Sequence, residues 1–191
     1  MNSIKEIITR SIETKQRILE DEDFLARIQK AVDVVTAAFK EGKKVLFCGN
    51  GGSAADAQHL AAEFSGRFYK NRKALFSDAL HCNSSYLTAV ANDFSYDVIY
   101  ARLVEGMGVK GDVLVGLSTS GNSPNVVKAF EAAKNQGMIT IGFTGVTGGI
   151  MKEMSDILFN VPSSDTPRIQ ESHILIGHII CQFVEENVFA A

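Results

Sequence analysis

One stretch, residues 44–66, constrains the fold of this chain more than any other. It begins with a short apolar run at 45–47, which is bounded by glycine and is typical of a buried strand in a parallel sheet. Residues 48–53 hold three glycines, which let the backbone turn sharply and expose its N–H groups. Ser53 is a favourable N-cap, and with Asp56 in the first turn it predicts a helix beginning there. A strand, a glycine loop and a helix N-terminus in this order predict an anion-binding crevice.

The predicted helix after this loop carries His59 and Glu63, four residues apart, so both side chains leave one face about one turn apart. Such a pair alone is usually a solvated helix face. A second polar set lies on the last predicted helix, where Gln170 and His178 are eight residues apart. That spacing is about 80° around an ideal helix and roughly 12 Å along it, so these two side chains reach one ion only when extended. A shared metal site is geometrically possible, and the spacing does not require it.

Short apolar runs alternate with helical patterns along the rest of the chain, which indicates βαβ units and a five-stranded parallel sheet. The expected class is therefore α/β, a three-layer α/β/α arrangement in one domain that covers residues 1–191. Ligands of such sheets bind beyond the carboxyl ends of the strands. After the first strand, the predicted strands are 75–80, 113–117, 138–143 and 157–161. The helices predicted after residue 66 are 84–91, 96–107, 124–136 and 148–154, with a last one from about 166.

The first 42 residues form a predicted helical hairpin ahead of the sheet, with a break at 21–23 and Gly42 as the C-terminal stop. An α/β core does not need such a hairpin. We therefore expect it to pack against another subunit, and the alternative is a cap on the protomer's own sheet. The apolar positions with helical spacing are Ile4, Ile7, Ile8, Ile12, Ile28, Val32, Val35 and Phe39.

A second polar loop follows the 113–117 strand and offers four hydroxyl groups at one strand-to-helix junction. These match the several acceptor oxygens of a phosphate, whereas capping and a tight turn would need one or two hydroxyls. Pro124 suits the first turn of the following helix, with Ser123 before it as the cap. The loop has neither the dinucleotide fingerprint nor the P-loop pattern. The hydroxyls belong to Ser118, Thr119, Ser120 and Ser123.

Composition narrows the class of protein further. The net charge of -3 leaves no basic surplus for general nucleic-acid binding. Three cysteines, far apart and without CxxC spacing, argue against zinc fingers and disulfide frameworks and indicate a reducing cytoplasm. No signal peptide or membrane span is expected. We interpret Cys48 and His173 as core residues and Arg67 as a surface charge, and we leave open whether 92–93 is a C-cap and turn or part of the site.

Three motifs taken together, CGNGGS at 48–53, STSGNSPN at 118–125 and TPRIQESHILIGH at 166–178, resemble the sugar-isomerase (SIS) domain. Within that superfamily the chain is similar to the phosphoheptose isomerases, which act on sedoheptulose 7-phosphate. The resemblance covers essentially the whole length, including the N-terminal hairpin. The second motif is typical of SIS domains broadly. The combination of His59 and Glu63 with Gln170 and His178 narrows the resemblance to the heptose enzymes.

The resemblance implies a homotetramer with active sites between subunits and one zinc ion per subunit. The implied metal ligands are His59, Glu63, Gln170 and His178, a chemically suitable set for zinc. The implied substrate-binding residues are Asn50, Gly51, Gly52, Ser53, Glu63, Asn92, Asp93, Ser118, Thr119, Ser120, Ser123 and Gln170.

The reaction that the resemblance implies is isomerisation of sedoheptulose 7-phosphate to D-glycero-D-manno-heptose 7-phosphate, an early step towards bacterial surface glycans such as lipopolysaccharide core or capsule. Glu63 and His178 would move protons between carbon 1 and carbon 2 through an enediol, a task that suits a carboxylate and an imidazole. Because zinc weakens a bound carboxylate as a base, the sequence leaves open whether Glu63 is ligand, base or both.

Three other interpretations belong to other classes or substrates. Some relatives of these enzymes are non-catalytic adaptors that bind the bacterial replication initiator, and the polar set on the two helices argues against that role here. A phosphosugar-sensing module of a regulator would normally sit beside a DNA-binding domain, for which this chain has neither room nor a basic patch. An SIS isomerase of another ketose phosphate remains the third alternative.

Overall fold

The computed structural model describes residues 3–190, which form a parallel sheet between two layers of helices. The helices are α1 Ile4–Leu19, α2 Glu22–Lys40, α3 Gly52–Ser65, α4 Ser84–Asp93, α5 Ile99–Met107, α6 Pro124–Asn135, α7 Met151–Met154 and α8 Thr166–Val188. The strands are β1 Val45–Gly49, β2 Ser77–Ala79, β3 Val113–Leu117, β4 Ile139–Thr144 and β5 Ile157–Asn160. The predicted three-layer class is confirmed.

The five strands lie in the order β2-β1-β3-β4-β5 and are all parallel. Val45 pairs with Val113, and Val113 pairs with Ile139, so the three central strands begin level with one another. The chain moves outward in one direction from β1 and in the other from β3. The switch point of the topology therefore lies between β1 and β3, where open α/β sheets bind ligands.

Apolar side chains of the strands alternate between two cores. Val45 and Phe47 of β1 face the core that includes residues of α2, α3 and α8, whereas Leu46 and Cys48 face the core formed with α5 and α6. Side chains that alternate along a strand bury both faces of the sheet, which is why β1 reads as a continuous apolar run in the sequence.

Two details at the start of α3 differ from the sequence prediction. The helix begins at Gly52 and its N-cap is Gly51, so the prediction of Ser53 as N-cap is wrong. Gly51 has φ 56°, a conformation open to glycine that turns the loop into the helix without a side-chain cap. Asp56 consequently lies beyond the first turn, which contains no acidic residue.

Other predicted elements are present with shifted bounds. The predicted helix 96–107 begins as a 3-10 turn, Tyr96–Val98, before α5. The predicted helix 148–154 is shortened to α7, since Gly148 and Gly149 have φ values of 76° and 54° and cannot continue a right-handed helix.

The two N-terminal helices differ in what they contact. α2 packs on α8 and β5, and its Phe24 lies 5.6 Å from Phe159 between ring centroids. On α1, Ile4, Ile8 and Ile12 are 80%, 55% and 61% exposed. α2 therefore acts as a cap on the protomer's own sheet, which was the alternative interpretation of the hairpin. α1 instead exposes an apolar stripe with helical spacing. Across residues 3–190, no helix is both long and apolar enough to pass through a membrane.

A buried ion pair fixes the segment that follows α3. Glu185 of α8 accepts hydrogen bonds from the backbone N–H groups of Phe68, Tyr69 and Lys70 and from Nε of Arg72 at 2.8 Å. Burial alone would raise the pKa of Glu185, but these donors outweigh it and lower the pKa. Arg72 also donates to the carbonyl oxygens of Glu63 and other residues at the end of α3. The ion pair thus joins the carboxyl end of α3 to α8.

Candidate active site

Two loops lie side by side at the carboxyl ends of adjacent strands. The glycine loop, residues 50–53, follows β1, and the hydroxyl loop, residues 118–123, follows β3. Because β1 and β3 flank the switch point, these loops form opposite walls of the crevice that the topology creates. The sequence predicted both loops and assigned both to phosphate or sugar binding.

Hydrogen bonds give the hydroxyl loop a defined shape. The hydroxyl groups of Ser118 and Ser123 are 2.8 Å apart, and the backbone N–H of Asn122 donates to the Ser120 hydroxyl. Ser123 is the N-cap residue of α6, as predicted, but its hydroxyl bonds to Ser118 and makes no cap bond to the helix. Gly121 has φ 69°, and a Cβ there would overlap the carbonyl oxygen of Gly148, so the loop requires glycine at this position.

An open pocket lies beside the hydroxyl loop. Its volume is about 290 Å³, near the lower end of the roughly 300–1,000 Å³ that is typical of small-molecule sites. Sequence reasoning missed several of its hydroxyl groups, which follow the carboxyl end of β5. The signal was their place after a strand, since open parallel sheets bind their ligands beyond the carboxyl ends of the strands. The hydroxyl-bearing residues that line it are Thr119, Ser120, Thr147, Ser163, Ser164 and Thr166.

A cluster of two histidines and a glutamate lies between α3 and α8. The Nε2 atoms of His59 and His178 are 3.0 Å apart, and Nε2 of His59 is 3.1 Å from Oε1 of Glu63. Burial lowers the pKa of His178; the nearby His59 lowers it further, whereas Glu63 raises it. Two imidazole nitrogens and a carboxylate oxygen thus converge on one point, as the resemblance to the family implied for these three residues.

The three donor atoms fit a zinc ion. One ligand atom from each residue lies within 4.8 Å of the others. Bond lengths of about 2.0–2.2 Å to imidazole nitrogen and carboxylate oxygen place tetrahedral ligand atoms roughly 3.3 Å apart. The distances of 3.0 and 3.1 Å in the cluster are close to that value. The fit rests on the chemistry and spacing of His59, Glu63 and His178.

Gln170, the fourth predicted ligand, lies at the other end of the helix pair. A Cβ at Gly52 would be 2.7 Å from Nε2 of Gln170, so this amide lies against the start of α3 and the glycine loop. Its contact with a sugar substrate stays a prediction. Because His178 is roughly 12 Å further along α8, coordination by Gln170 stays a prediction.

Asn92 and Asp93 end α4, and both are exposed. The side-chain amide of Asn92 donates to Oδ1 of Asp93 at 2.8 Å. The C-cap of the helix is Phe94, so neither residue is a C-cap. Their contact with substrate stays a prediction, and Arg67 is exposed, as expected of a surface charge.

His173 and Cys48 are both core residues, as the sequence predicted. Nε2 of His173 is 3.1 Å from the carbonyl oxygen of Thr144, an acceptor, so Nε2 carries the proton. Burial lowers the pKa of His173 to about 4, although the bond to Thr144 raises it, and the ring is neutral at pH 7. Burial also raises the pKa of the Cys48 thiol, which is consequently not a nucleophile.

Comparison with known proteins places the chain in a class. Residues 5–145 match the SIS domain family. The chain is 54% identical over 188 residues to the phosphoheptose isomerase of Clostridium acetobutylicum, covering 98% of this chain and 96% of that protein. Solved phosphoheptose isomerase structures from Neisseria gonorrhoeae and Francisella tularensis have TM-scores of 0.90 and 0.91 at 40% and 33% identity. The aligned regions cover 96% and 97% of this chain and 97% and 100% of those chains.

The chain therefore belongs to the SIS domain family. Within that class it is a member of the phosphoheptose isomerase family. The resemblance noted in the sequence is confirmed.

Proposed function

We propose that this protein is an aldose-ketose isomerase that converts sedoheptulose 7-phosphate to D-glycero-D-manno-heptose 7-phosphate. The observation that carries the proposal is the convergence of His59, Glu63 and His178 on one point between α3 and α8. A binding module needs no such cluster, whereas proton transfer between neighbouring carbons needs groups that accept and return a proton. The identity to phosphoheptose isomerases over nearly the whole chain supports the same reaction.

The proposed chemistry assigns proton transfer to Glu63 and His178. One of them takes the proton from carbon 1 of the ketose, and an enediol forms. A proton is then returned to carbon 2, while the hydroxyl hydrogen passes from the oxygen on carbon 1 to the oxygen on carbon 2, which leaves an aldehyde at carbon 1. The lowered pKa of His178 keeps its imidazole in the neutral form that can accept a proton.

The proposed cofactor is one zinc ion per subunit, held by His59, Glu63 and His178 with Gln170 as a fourth ligand. A bound zinc ion supplies a Lewis acid that polarises a carbonyl oxygen. The three-residue cluster supports this assignment through its donor types and distances.

The phosphate end of the substrate is assigned to the hydroxyl loop with Ser53. The close pair of Ser118 and Ser123 hydroxyls and the adjacent pocket support that assignment. The sugar hydroxyls are assigned to the remaining predicted residues: Asn50, Gly51, Gly52, Asn92, Asp93 and Gln170.

The test is incubation of the purified protein with sedoheptulose 7-phosphate before and after chelation, with the product followed as an aldoheptose phosphate. We expect conversion that chelation removes and added zinc restores. Conversion that chelation does not change would contradict the proposed zinc site but still support the isomerase activity. No conversion, with the phosphosugar still bound, would contradict the isomerase and favour the adaptor interpretation. Faster conversion of another ketose phosphate would show that the assignment of sedoheptulose 7-phosphate as the substrate is wrong.

The proposed assembly is a homotetramer, and the exposed isoleucine stripe of α1 is the surface that supports it. We expect Ile8→Lys to lower the molar mass measured by light scattering, because a charge in an apolar interface is costly to bury. Thr9→Lys is the matched control, since Thr9 is exposed on the same helix. A wild-type protein that is already monomeric at working concentration would contradict the assembly.

The proposed location is the cytoplasm, and the product is proposed to enter the synthesis of surface glycans. Three free cysteines, of which Cys82 is exposed, support a reducing compartment.

A further inference from the structure

A reciprocal pair of side-chain amides joins the two walls of the crevice. Nδ2 of Asn50 donates to Oδ1 of Asn125 at 2.9 Å, and Nδ2 of Asn125 donates to Oδ1 of Asn50 at 2.8 Å. Asn50 belongs to the glycine loop after β1, and Asn125 lies in the first turn of α6 after the hydroxyl loop. Asn125 is 1% exposed, so its amide has little access to water and depends on these partners.

The backbone fixes which way round this pair lies. A reciprocal amide pair alone would look the same if both side chains were flipped. Oδ1 of Asn125, however, also accepts the backbone N–H of Val126 at 3.0 Å. That N–H cannot be reversed, so the oxygen of Asn125 stays beside it. Nδ2 of Asn50 therefore faces the oxygen of Asn125, and Oδ1 of Asn50 faces its nitrogen.

Tyr96 completes the arrangement from the 3-10 turn before α5. Its hydroxyl donates to Oδ1 of Asn50 at 3.1 Å. A carbonyl oxygen has two lone pairs, and Asn125 and Tyr96 together use both lone pairs of Asn50. Of the two N–H groups on Nδ2 of Asn50, one is used by Asn125. The side chain consequently has one free N–H and a saturated oxygen.

We propose that Asn125 and Tyr96 are positioning residues that hold Asn50 as a hydrogen-bond donor to an oxygen atom of the sugar. In this arrangement Asn50 selects a carbonyl or hydroxyl oxygen that accepts a hydrogen bond. The same contacts link β1 to β3, so they also set the distance between the glycine loop and the hydroxyl loop. This inference deepens the proposed function and rests on it.

The first test is Asn125→Asp, a change of nearly equal shape. The carboxylate keeps the acceptor for Val126 but replaces the donor to Asn50 with a second oxygen, and flipping Asn50 still leaves one oxygen against another. We expect KM for sedoheptulose 7-phosphate to rise about ten- to hundredfold with a much smaller change in kcat. The control is Asn135→Asp, the same change at the exposed far end of α6, which should leave KM unchanged.

Tyr96→Phe is the second variant, and it keeps the inference testable if Asn125→Asp does not fold. It removes one hydroxyl from a half-exposed side chain, and we expect KM to rise about three- to tenfold. Tyr86→Phe is its control, because the Tyr86 hydroxyl donates to the carbonyl oxygen of Ile99.

Coupling separates positioning from a general structural role. If Tyr96 acts through Asn50, adding Tyr96→Phe to Asn50→Ala should raise KM no further. Additive effects, or variants that lose thermal stability while KM stays at the wild-type value, would overturn the inference.

Wild-type conversion tests the proposed function separately. If the wild type binds sedoheptulose 7-phosphate without converting it, KM cannot be measured. The dissociation constant of each variant is then compared with that of the wild type by calorimetry, and the same fold increases are expected. A wild type that does neither contradicts both proposals.

Discussion

Replacing Glu63 with glutamine is expected to lower kcat by about a thousandfold or more, because an amide cannot accept a proton from carbon. Glu63 lies 3.1 Å from His59 and within the cluster that includes His178, so its carboxylate is next to the groups assigned to the reaction. Glutamine has nearly the same shape, and we expect sedoheptulose 7-phosphate still to bind. Steady-state kinetics and calorimetry measure the two effects separately.

Glu131→Gln is the matched control for this variant. Glu131 is exposed on α6, and we expect its replacement to leave kcat unchanged. Zinc content is measured in both variants, since Glu63 is also an assigned ligand. Turnover retained by Glu63→Gln would remove Glu63 from the role of base. If Glu63→Gln loses its zinc and added zinc restores turnover, Glu63 would be assigned to metal binding and the proton transfer to His178.

The second large effect is expected for Glu185→Gln, which should lower the free energy of unfolding by about 3–5 kcal/mol. The side chains of Arg72 and Glu185 are 3% and 2% exposed, so neutralising Glu185 leaves the Arg72 charge buried without an opposite charge. The amide keeps one oxygen and would place its NH2 group opposite either the N–H groups of Tyr69 and Lys70 or those of Phe68 and Arg72. Denaturant unfolding at one fixed protein concentration measures the change.

Glu186→Gln makes the same chemical change one residue later. Glu186 is exposed and accepts a bond from Gln182, so we expect a change of less than about 0.5 kcal/mol. Equal stability losses in both variants would contradict the role given to the buried pair. A loss of activity in Glu185→Gln beyond its unfolded fraction would show that the ion pair also positions α3, which carries His59 and Glu63.

The elements of this fold were largely predictable because their sequence signals are local. The strand at 113–117 was predicted with its observed bounds, since an apolar run between polar turns is a strong signal. The start of α3 was not predicted correctly. Gly51 adopts a positive φ and is the N-cap in place of the expected Ser53. The 3-10 turn before α5 was also missed, as it continues the apolar spacing of the helix.

Of the candidate site, the sequence predicted the residues but not their partners. His59 and Glu63 are neighbours because a helix places positions four apart on one face. The pairing of Asn50 with Asn125 has no sequence signal, since 75 residues separate them.

By itself, the sequence determined the class of fold and the two loops, and it predicted the polar residues to which we assign the chemistry, because periodicity, glycine spacing and residue type act over a few positions. Only the tertiary structure decided the strand order and hence which loops face each other. It brought His178 to within 3.0 Å of His59 and kept Gln170 at the glycine loop. The physical reason is that these contacts depend on how α3, α8 and the strands pack, and packing is set by the burial of apolar surface across the whole chain.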